Sequence, residues 1–346
     1  PYVTRLEALA RCPWQAFLRR DLGLEPVPDA LAALPAPDAL LLGRVAHAVL
    51  ERVVAAAGAP VHEPLADAIA RGPVRVPWPG PEQLEDWLRE AAESAALAEG
   101  IALPGFARAL ARRVRPLVEA ARVDWDDADG LAVLGAELTA AVEITDRGGR
   151  RRRIAFRADR ADLADGVLRL TDYKTGALPT ASGATDTRHR HLLRAVREGR
   201  LLQAAAYRLA AAPLAPGGSA EGRYLYLREE PSVFAVRDDA YGAELADAFH
   251  ATAGALLDAA DRGLQPPRLD TAEGQGPCQW CEVRAACLQG ESAHRARLTA
   301  WIEAAQAQQA AGALDPAEAA LLRVARLRED AKQTGLEGAA VGEDAA

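Results

Sequence analysis

Three residues within one short stretch, FRADRADLADGVLRLTDYKTG from Phe156 to Gly176, could do hydrolytic chemistry: Asp159, Asp172 and Lys174. Asp165-Gly166 is a two-residue turn signal between Arg153–Leu163 and Val167–Lys174, so the stretch predicts a β-hairpin. With those two residues at the centre of the turn, Ala164 faces Val167, and counting outward places Asp159 opposite Asp172. Side chains alternate along a strand, so Asp172 and Lys174 share one face and Tyr173 takes the other. Two carboxylates facing each other repel unless a cation lies between them. Hard oxygen ligands at that separation suit Mg²⁺ or Mn²⁺. Lys174 is one of only two lysines among 41 basic residues, the other being Lys332. Arginine therefore serves wherever a generic cation is wanted, and a compact ammonium can sit beside a water or a phosphate where the broad guanidinium does not substitute.

The hairpin needs neighbours to hold it. Thr4-Arg-Leu-Glu7 reads as a capping box that opens a helix with Leu6, Leu9 and Ala10 inward and Cys12 close behind. A Pro-rich loop, Pro26–Pro37, leads to a helix from about Asp38 to Ala57, on which His47 and Glu51 share a face. Residues 60 to 80 read as irregular or short extended structure, and helices follow around Glu82–Ala98 and Pro104–Val123. Leu131 to Ile144 has the pattern of a strand, and Arg147-Gly148-Gly149 turns it into the strand that ends at Asp159. A three-residue loop over 147–149 puts Glu137 beside Asp159; a two-residue Gly-Gly turn pairs Leu138 there and sends Glu137 to the opposite face. After Gly176 a polar loop precedes a helix from about His189 to Ala211 with Gln203 and Tyr207 on one side. Gly222–Leu227 and Ser232–Arg237 form a second strand pair, a helix runs from Asp238 to Arg262, and two polar helices from Glu291 end in the acidic stretch Leu336–Ala346.

At 346 residues and 36.6 kDa the chain can bury a core for one large domain or two modest ones. Its alanine-dominated hydrophobic half indicates a helix-rich globular protein. A net charge of -8 argues against a protein that coats duplex DNA by bulk electrostatics, although Arg108–Arg115 and Arg150–Arg153 permit local contact. No signal peptide and no apolar run of transmembrane length is found, so a cytoplasmic location without a membrane partner is expected. With Pro1 first and no methionine anywhere, the chain is expected to be a piece of a longer polypeptide or a processed one. Cys278, Cys281 and Cys287 give C-x2-C-x5-C, and Cys12 is the one cysteine left over. If the two ends of the chain meet, these make a four-thiolate site. A structural disulfide does not suit a cytosolic protein, and either zinc or an iron-sulfur cluster can use the same four ligands.

Asp159, followed thirteen residues on by Asp172-Tyr173-Lys174, resembles the PD-(D/E)XK nuclease motif, and DYKTG resembles its RecB-like branch. Gly43-Arg-Val-Ala-His47 resembles the glycine-x-x-x-histidine helix of that branch, and Gln203-Ala-Ala-Ala-Tyr207 its glutamine-x-x-x-tyrosine motif. One cysteine before these motifs and three clustered after them resemble the iron-sulfur staple of AddB-type subunits. The likeness covers roughly residues 2 to 288, with a departure at Phe156, where relatives often carry glycine.

The resemblance implies an α/β fold of the restriction-endonuclease-like kind, a mixed central sheet flanked by helices. The nuclease domain would span 1–290, with its iron-sulfur staple joining the N- and C-terminal segments, and 291–346 would be a helical extension and acidic tail. It implies a Mg²⁺-dependent deoxyribonuclease (or Mn²⁺) with His47, Glu137, Asp159, Asp172 and the Tyr173 backbone carbonyl as ligands and Glu51 as a partner behind His47. Lys174 would position the attacking water or the phosphate, and Gln203 and Tyr207 would touch the nucleic-acid strand or support the lysine. Cys12, Cys278, Cys281 and Cys287 would hold a structural 4Fe-4S cluster, preferred over zinc. The implied partners are DNA, in single strands, and a helicase domain or subunit. This chain has no G-x-x-x-x-G-K-[ST] phosphate loop of its own. The implied context is exonucleolytic processing in double-strand break repair and recombination as part of an AddB-like helicase-nuclease. The alternative is a catalytically silent iron-sulfur DNA-binding or scaffolding module, against which the intact Asp159, Asp172 and Lys174 argue.

Overall fold

The computed structural model describes residues 1–25, 37–125, 130–146, 148–268, 278, 281–287 and 292–340. Nearly all of the Pro-rich loop and the last six residues of the acidic stretch lie outside the described residues. A six-stranded sheet organises the chain: β1 (Val74–Val76), β2 (Leu131–Thr145), β3 (Arg151–Ala164), β4 (Val167–Lys174), β5 (Ala220–Tyr226) and β6 (Ser232–Val236), in that spatial order. Neighbours are antiparallel except β4 and β5, which run parallel. The sheet is therefore mixed.

The β3–β4 hairpin forms because Asp165 (φ +53°) and Gly166 (φ +79°) both take the left-handed conformation that a tight primed turn requires. Pairing runs from Ala164↔Val167 to Arg160↔Thr171, so Asp159 and Asp172 are next in register beyond the last pair. The β2–β3 loop follows the three-residue alternative, with the Asp146 amide donating to the Arg150 carbonyl at 3.0 Å. That register sets Ala136↔Arg160 and Leu138↔Ala158, and Glu137 between them breaks the ladder with a left-handed φ of +53°.

The helices are α1 (Val3–Arg11), α2 (Pro13–Ala16), α3 (Ala39–Ala56), α4 (Leu65–Arg71), α5 (Pro81–Ala98), α6 (Phe106–Ala120), α7 (Thr185–Arg197), α8 (Gln203–Ala211), α9 (Ala240–Asp261), α10 (Ser292–Ala310) and α11 (Pro316–Ala340). Irregularities in β2, a register shift between Val133 and Gly135 and the left-handed Glu137, break the simple alternation and set which residues meet which helices. Leu134 and Leu138 join a core with α1, α7, α8 and α9, whereas Val133 and Ala136 join a second core with α3, α5 and α6. Each fully buried Leu or Val stabilises the assembly by about 1.5–3 kcal/mol, so both faces hold their helices firmly. α7 and α8 lie between β4 and β5 in sequence, the crossover that two parallel strands need. Among the described residues no helix is long and apolar enough to cross a membrane.

Three expectations need correction. Thr4-x-x-Glu7 is not a capping box: α1 begins after Tyr2, which makes no side-chain cap, and Glu7 turns away to accept from the Leu202 amide at 2.8 Å. The single helix expected over His189–Ala211 is two, broken by Gly199 (φ +74°) and Leu201 (φ +53°). A Cβ on Gly199 would lie 2.2 Å from that of Ala10, so the break is also where α1 crosses closest. Residues 60 to 80 are more regular than expected, holding α4 and β1. Phe156 is buried against Tyr207, ring centroids 4.7 Å apart.

Candidate active site

The sheet and α3 converge on a group of acids. His47 Nδ1 lies 3.4 Å from Asp159 Oδ1, and its Nε2 lies 3.1 Å from the Tyr173 carbonyl oxygen. Glu137, projected from β2 by its left-handed backbone, completes the group: one ligand atom each from His47, Glu137 and Asp159 lie within 4.8 Å of one another. A nitrogen and two carboxylate oxygens are donors suited to Mg²⁺ or Mn²⁺, and the like-charged pair calls for a cation, so these residues fit a divalent metal.

The electrostatics agree. Burial alone would lower the His47 pKa, but Asp159, with Asp172 and Glu137 behind it, more than offsets this and pushes it up to about 9. Burial, reinforced by Asp159, raises Glu137 against the opposing pull of Arg157, whose Nε lies 2.5 Å from Glu137 Oε2.

Asp172 is turned differently. Its Oδ2 lies 2.7 Å from Lys174 Nζ, while Oδ1 accepts from Gln203 Nε2 at 2.5 Å and from the Tyr207 hydroxyl at 3.4 Å. Lys174 also donates to Gln203 Oε1 at 2.8 Å, so Gln203 spans the acid and the ammonium with both ends of its amide. Burial raises Asp172 although Lys174 opposes it; burial would depress Lys174, but Asp172 and Glu7 hold it above its ordinary value. Among the described residues, Asp172 is therefore not in the close group with His47, Glu137 and Asp159. Gln203 and Tyr207 are both buried. Both hydrogen-bond Asp172, and Gln203 also holds Lys174; Gln203 reaches the wall of the cleft, whereas Tyr207 is fully buried.

Tyr173 is the hinge between the two faces. Its amide donates to Asp159 Oδ2 at 2.7 Å and its carbonyl meets His47. On the reverse face its hydroxyl accepts from Arg160 at 2.8 Å. Arg160 is fully buried, pairs with Asp124 and with Asp162 (2.9 Å), and lies over the Trp125 ring. Asp124 is shared with Arg223, and Asp162 with Arg169 at 2.5 Å. Burial would raise Asp124, but Arg160 and Arg223 hold it well below the usual carboxylate range. This ion-paired layer backs the strand segment that brings Asp159 and the Tyr173 carbonyl to His47.

Sequence reasoning missed several of these residues. Arg160 and Asp162 carry a signal, two charges on a strand otherwise read as core. Glu7 had none, because its partner Leu202 is 195 residues away. Glu51 does not stand behind His47 as expected; its Oε1 lies 3.1 Å from Nε2 of His62. Of the two arginine runs, Arg150 and Arg152 are ion-paired to Asp146 and Asp261, and Arg115 to Glu85.

Cys12, Cys278, Cys281 and Cys287 line one small cavity with Trp14, Val283 and Arg268, and none forms a disulfide. Cys12 Sγ accepts from the Gln15 and Arg268 amides at 3.4 and 3.3 Å, an arrangement that suits a thiolate. Burial nonetheless pushes the Cys12 thiol up, and the neighbouring Cys287 and Cys278 add to it, so a cation among the four would relieve the cost. The donor set fits a four-thiolate metal group, iron-sulfur or zinc.

No curated protein matches this chain. Among solved structures it is similar to one titled "Crystal structure of SSO0001", with 14% identity over 70% of this chain and 95% of that one, at a TM-score of 0.25. Against protein families, residues 3–288 match the PD-(D/E)XK nuclease superfamily. That span runs from the first turn of α1 to just past Cys287 and takes in the sheet, the acids and Lys174. The chain belongs to the PD-(D/E)XK nuclease superfamily.

Proposed function

We propose that this chain is a divalent-metal-dependent deoxyribonuclease that cuts single strands, exonucleolytically, as the nuclease part of an AddB-like helicase-nuclease in break repair. The observation that carries the nuclease reading is the convergence of His47, Glu137 and Asp159 beside a Lys174 already held by Asp172 and Gln203. The repair setting and the helicase partner rest on the sequence resemblance.

His47, Glu137 and Asp159 would hold the metal, with the Tyr173 carbonyl adjacent. When bound, the cation supplies Lewis acidity and positive charge for the phosphodiester as negative charge builds on it. Lys174, held by Asp172 and Gln203 at the wall of the cleft, would orient water or a phosphate oxygen with its remaining donor capacity. Asp172 keeps that ammonium charged and aimed. The cleft, about 590 Å³ and open to solvent, is lined by Tyr2, Thr4, Phe156, Arg157 and the acids. Cys12, Cys278, Cys281 and Cys287 would hold a 4Fe-4S cluster that ties α1 to the C-terminal segment.

Cleavage of end-labelled single-stranded DNA by anaerobically purified protein, with Mg²⁺ or with EDTA and beside a Lys174→Ala variant, tests the reading. Metal-dependent cutting that the variant lacks is expected. A cluster-replete protein that binds the strand and leaves it intact under all conditions would make the chain a silent scaffold instead.

A further inference from the structure

One side chain in the cleft has no part in the arrangement above. His62 lines the same cavity as His47, Glu137 and Asp159, and its imidazole is more than half exposed. It is also built in with some care. Residues 60–64 lie along β2 as a strap, parallel to it, with bridges Val61↔Ala136 and Pro64↔Thr139. Three backbone hydrogen bonds hold the strap: Ala136 amide to Pro60 carbonyl (3.0 Å), His62 amide to Ala136 carbonyl (3.2 Å) and Thr139 amide to Glu63 carbonyl (2.8 Å). The approach is so close that a Cβ on Gly135 would lie 2.5 Å from the Pro60 carbonyl oxygen. The strap thus flanks Glu137 on both sides, and it forces His62 into a left-handed backbone with φ +61°.

A non-glycine residue held there costs free energy that the surrounding hydrogen bonds must offset, and such outliers concentrate where a side chain has to be aimed. Glu51, one turn along α3 from His47, supplies the aim: its Oε1 lies 3.1 Å from His62 Nε2. Among the described residues, Nδ1 of His62 has no protein partner. With Nε2 taken by Glu51, the exposed ring at the cleft wall keeps Nδ1 as a second donor in its imidazolium form, the arrangement of a carboxylate-oriented acid.

We propose that His62, oriented by Glu51, is a catalytic residue that protonates the leaving oxygen during phosphodiester hydrolysis. The inference rests on the nuclease reading of the same cleft. In the step, water adds its oxygen to phosphorus and releases a proton to solvent, while the P–O ester bond breaks. The electron pair of that bond takes the proton from His62 Nδ1, and the ring regains a proton from solvent through its exposed side.

The test compares His62→Asn with wild type in single-turnover cleavage of two strands. One is ordinary; the other carries sulfur in place of the leaving oxygen at the bond that wild type cuts. Asparagine tolerates the left-handed backbone but cannot give up a proton, and a thiolate leaves without needing one. The ordinary strand is expected to be cut about 10²-fold more slowly by the variant, and the sulfur strand at the wild-type rate. Glu51→Gln should show the same pattern more weakly, and Mn²⁺ binding measured by calorimetry should stay unchanged in both. Equal slowing on both strands, no slowing on either, or a lost Mn²⁺ affinity overturns the assignment. Failure of wild type to cut the ordinary strand would instead overturn the nuclease reading itself.

Discussion

Replacing Lys174 by methionine keeps the length of the side chain and removes only the ammonium. In the native site that group lies 2.7 Å from Asp172 Oδ2 and 2.8 Å from Gln203 Oε1. Breaking a buried ion pair by deleting one partner costs about 3–5 kcal/mol when the remaining charge has no other support. Asp172 does have support, from Gln203 and Tyr207, and Lys174 itself is partly exposed, so about 2 kcal/mol is the expected loss near neutral pH. Its pH dependence follows from burial, which already raises the Asp172 pKa and would raise it further without the cation. A carboxyl with a raised folded pKa binds more protons folded than unfolded, so stability rises as pH falls through that raised value. The gap between wild type and variant should therefore narrow toward acid. Urea melts at neutral pH and about two units lower measure it, beside a cleavage assay in which at least ~10²-fold of rate should be lost. A variant that cuts as fast as wild type, or a stability gap indifferent to pH, would refute the reasoning.

Three further outcomes are expected. In the buried layer behind Tyr173, Asp162→Asn leaves Arg160, Arg169 and Arg223 facing Asp124 alone and should cost about 3–5 kcal/mol in chemical denaturation, whereas Arg160→Met leaves each acid one arginine and should cost less. In metal-free protein, the raised His47 pKa contributes stability that is complete below the ordinary value of 6.5 and lost as pH rises through about 9; thermal melts in EDTA should show that alkaline decline, and His47→Gln should flatten it. Cys12→Ser should lower bound metal and loosen the N-terminal helix; metal analysis and protease sensitivity near α1 read both, and an unchanged metal content would remove Cys12 from the ligand set.

Local signals made the hairpin legible. Asp165-Gly166 fixes a turn, a turn fixes a register, and the register sets Asp159 and Asp172 in line with no knowledge of the rest. Glu137 was legible only as one of two alternatives, because glycines at 148 and 149 permit either loop. The roles of Gln203 and Tyr207 were ambiguous for a different reason: helical spacing says which residues share a side, and only packing says whether that side meets solvent or core. Glu7, His62 and the strap over β2 were not legible at all. Each depends on pairing between segments far apart in the chain, and in the case of His62 on backbone strain that no propensity favours.

The acids of the cleft differ in how firmly the chain's own cations hold them. Three carboxylates line the cleft, and each is matched by one cation of the chain: Glu137 by Arg157, Asp159 by His47, Asp172 by Lys174. The matches are not equivalent. Arg157 is exposed and can swing away, and His47 can lose its proton, so the first two pairs can open to a divalent ion at modest cost. Lys174 is tied to both Asp172 and Gln203, so the third pair stays closed. A metal entering beside Glu137 and Asp159 would therefore displace a proton and a guanidinium and leave the ammonium where it is. The strap that carries His62 runs beside Glu137, the acid whose partner is most easily released. The Asp172–Lys174 pair thus stays closed while the Glu137 and Asp159 side of the cleft remains free to exchange one cation for another.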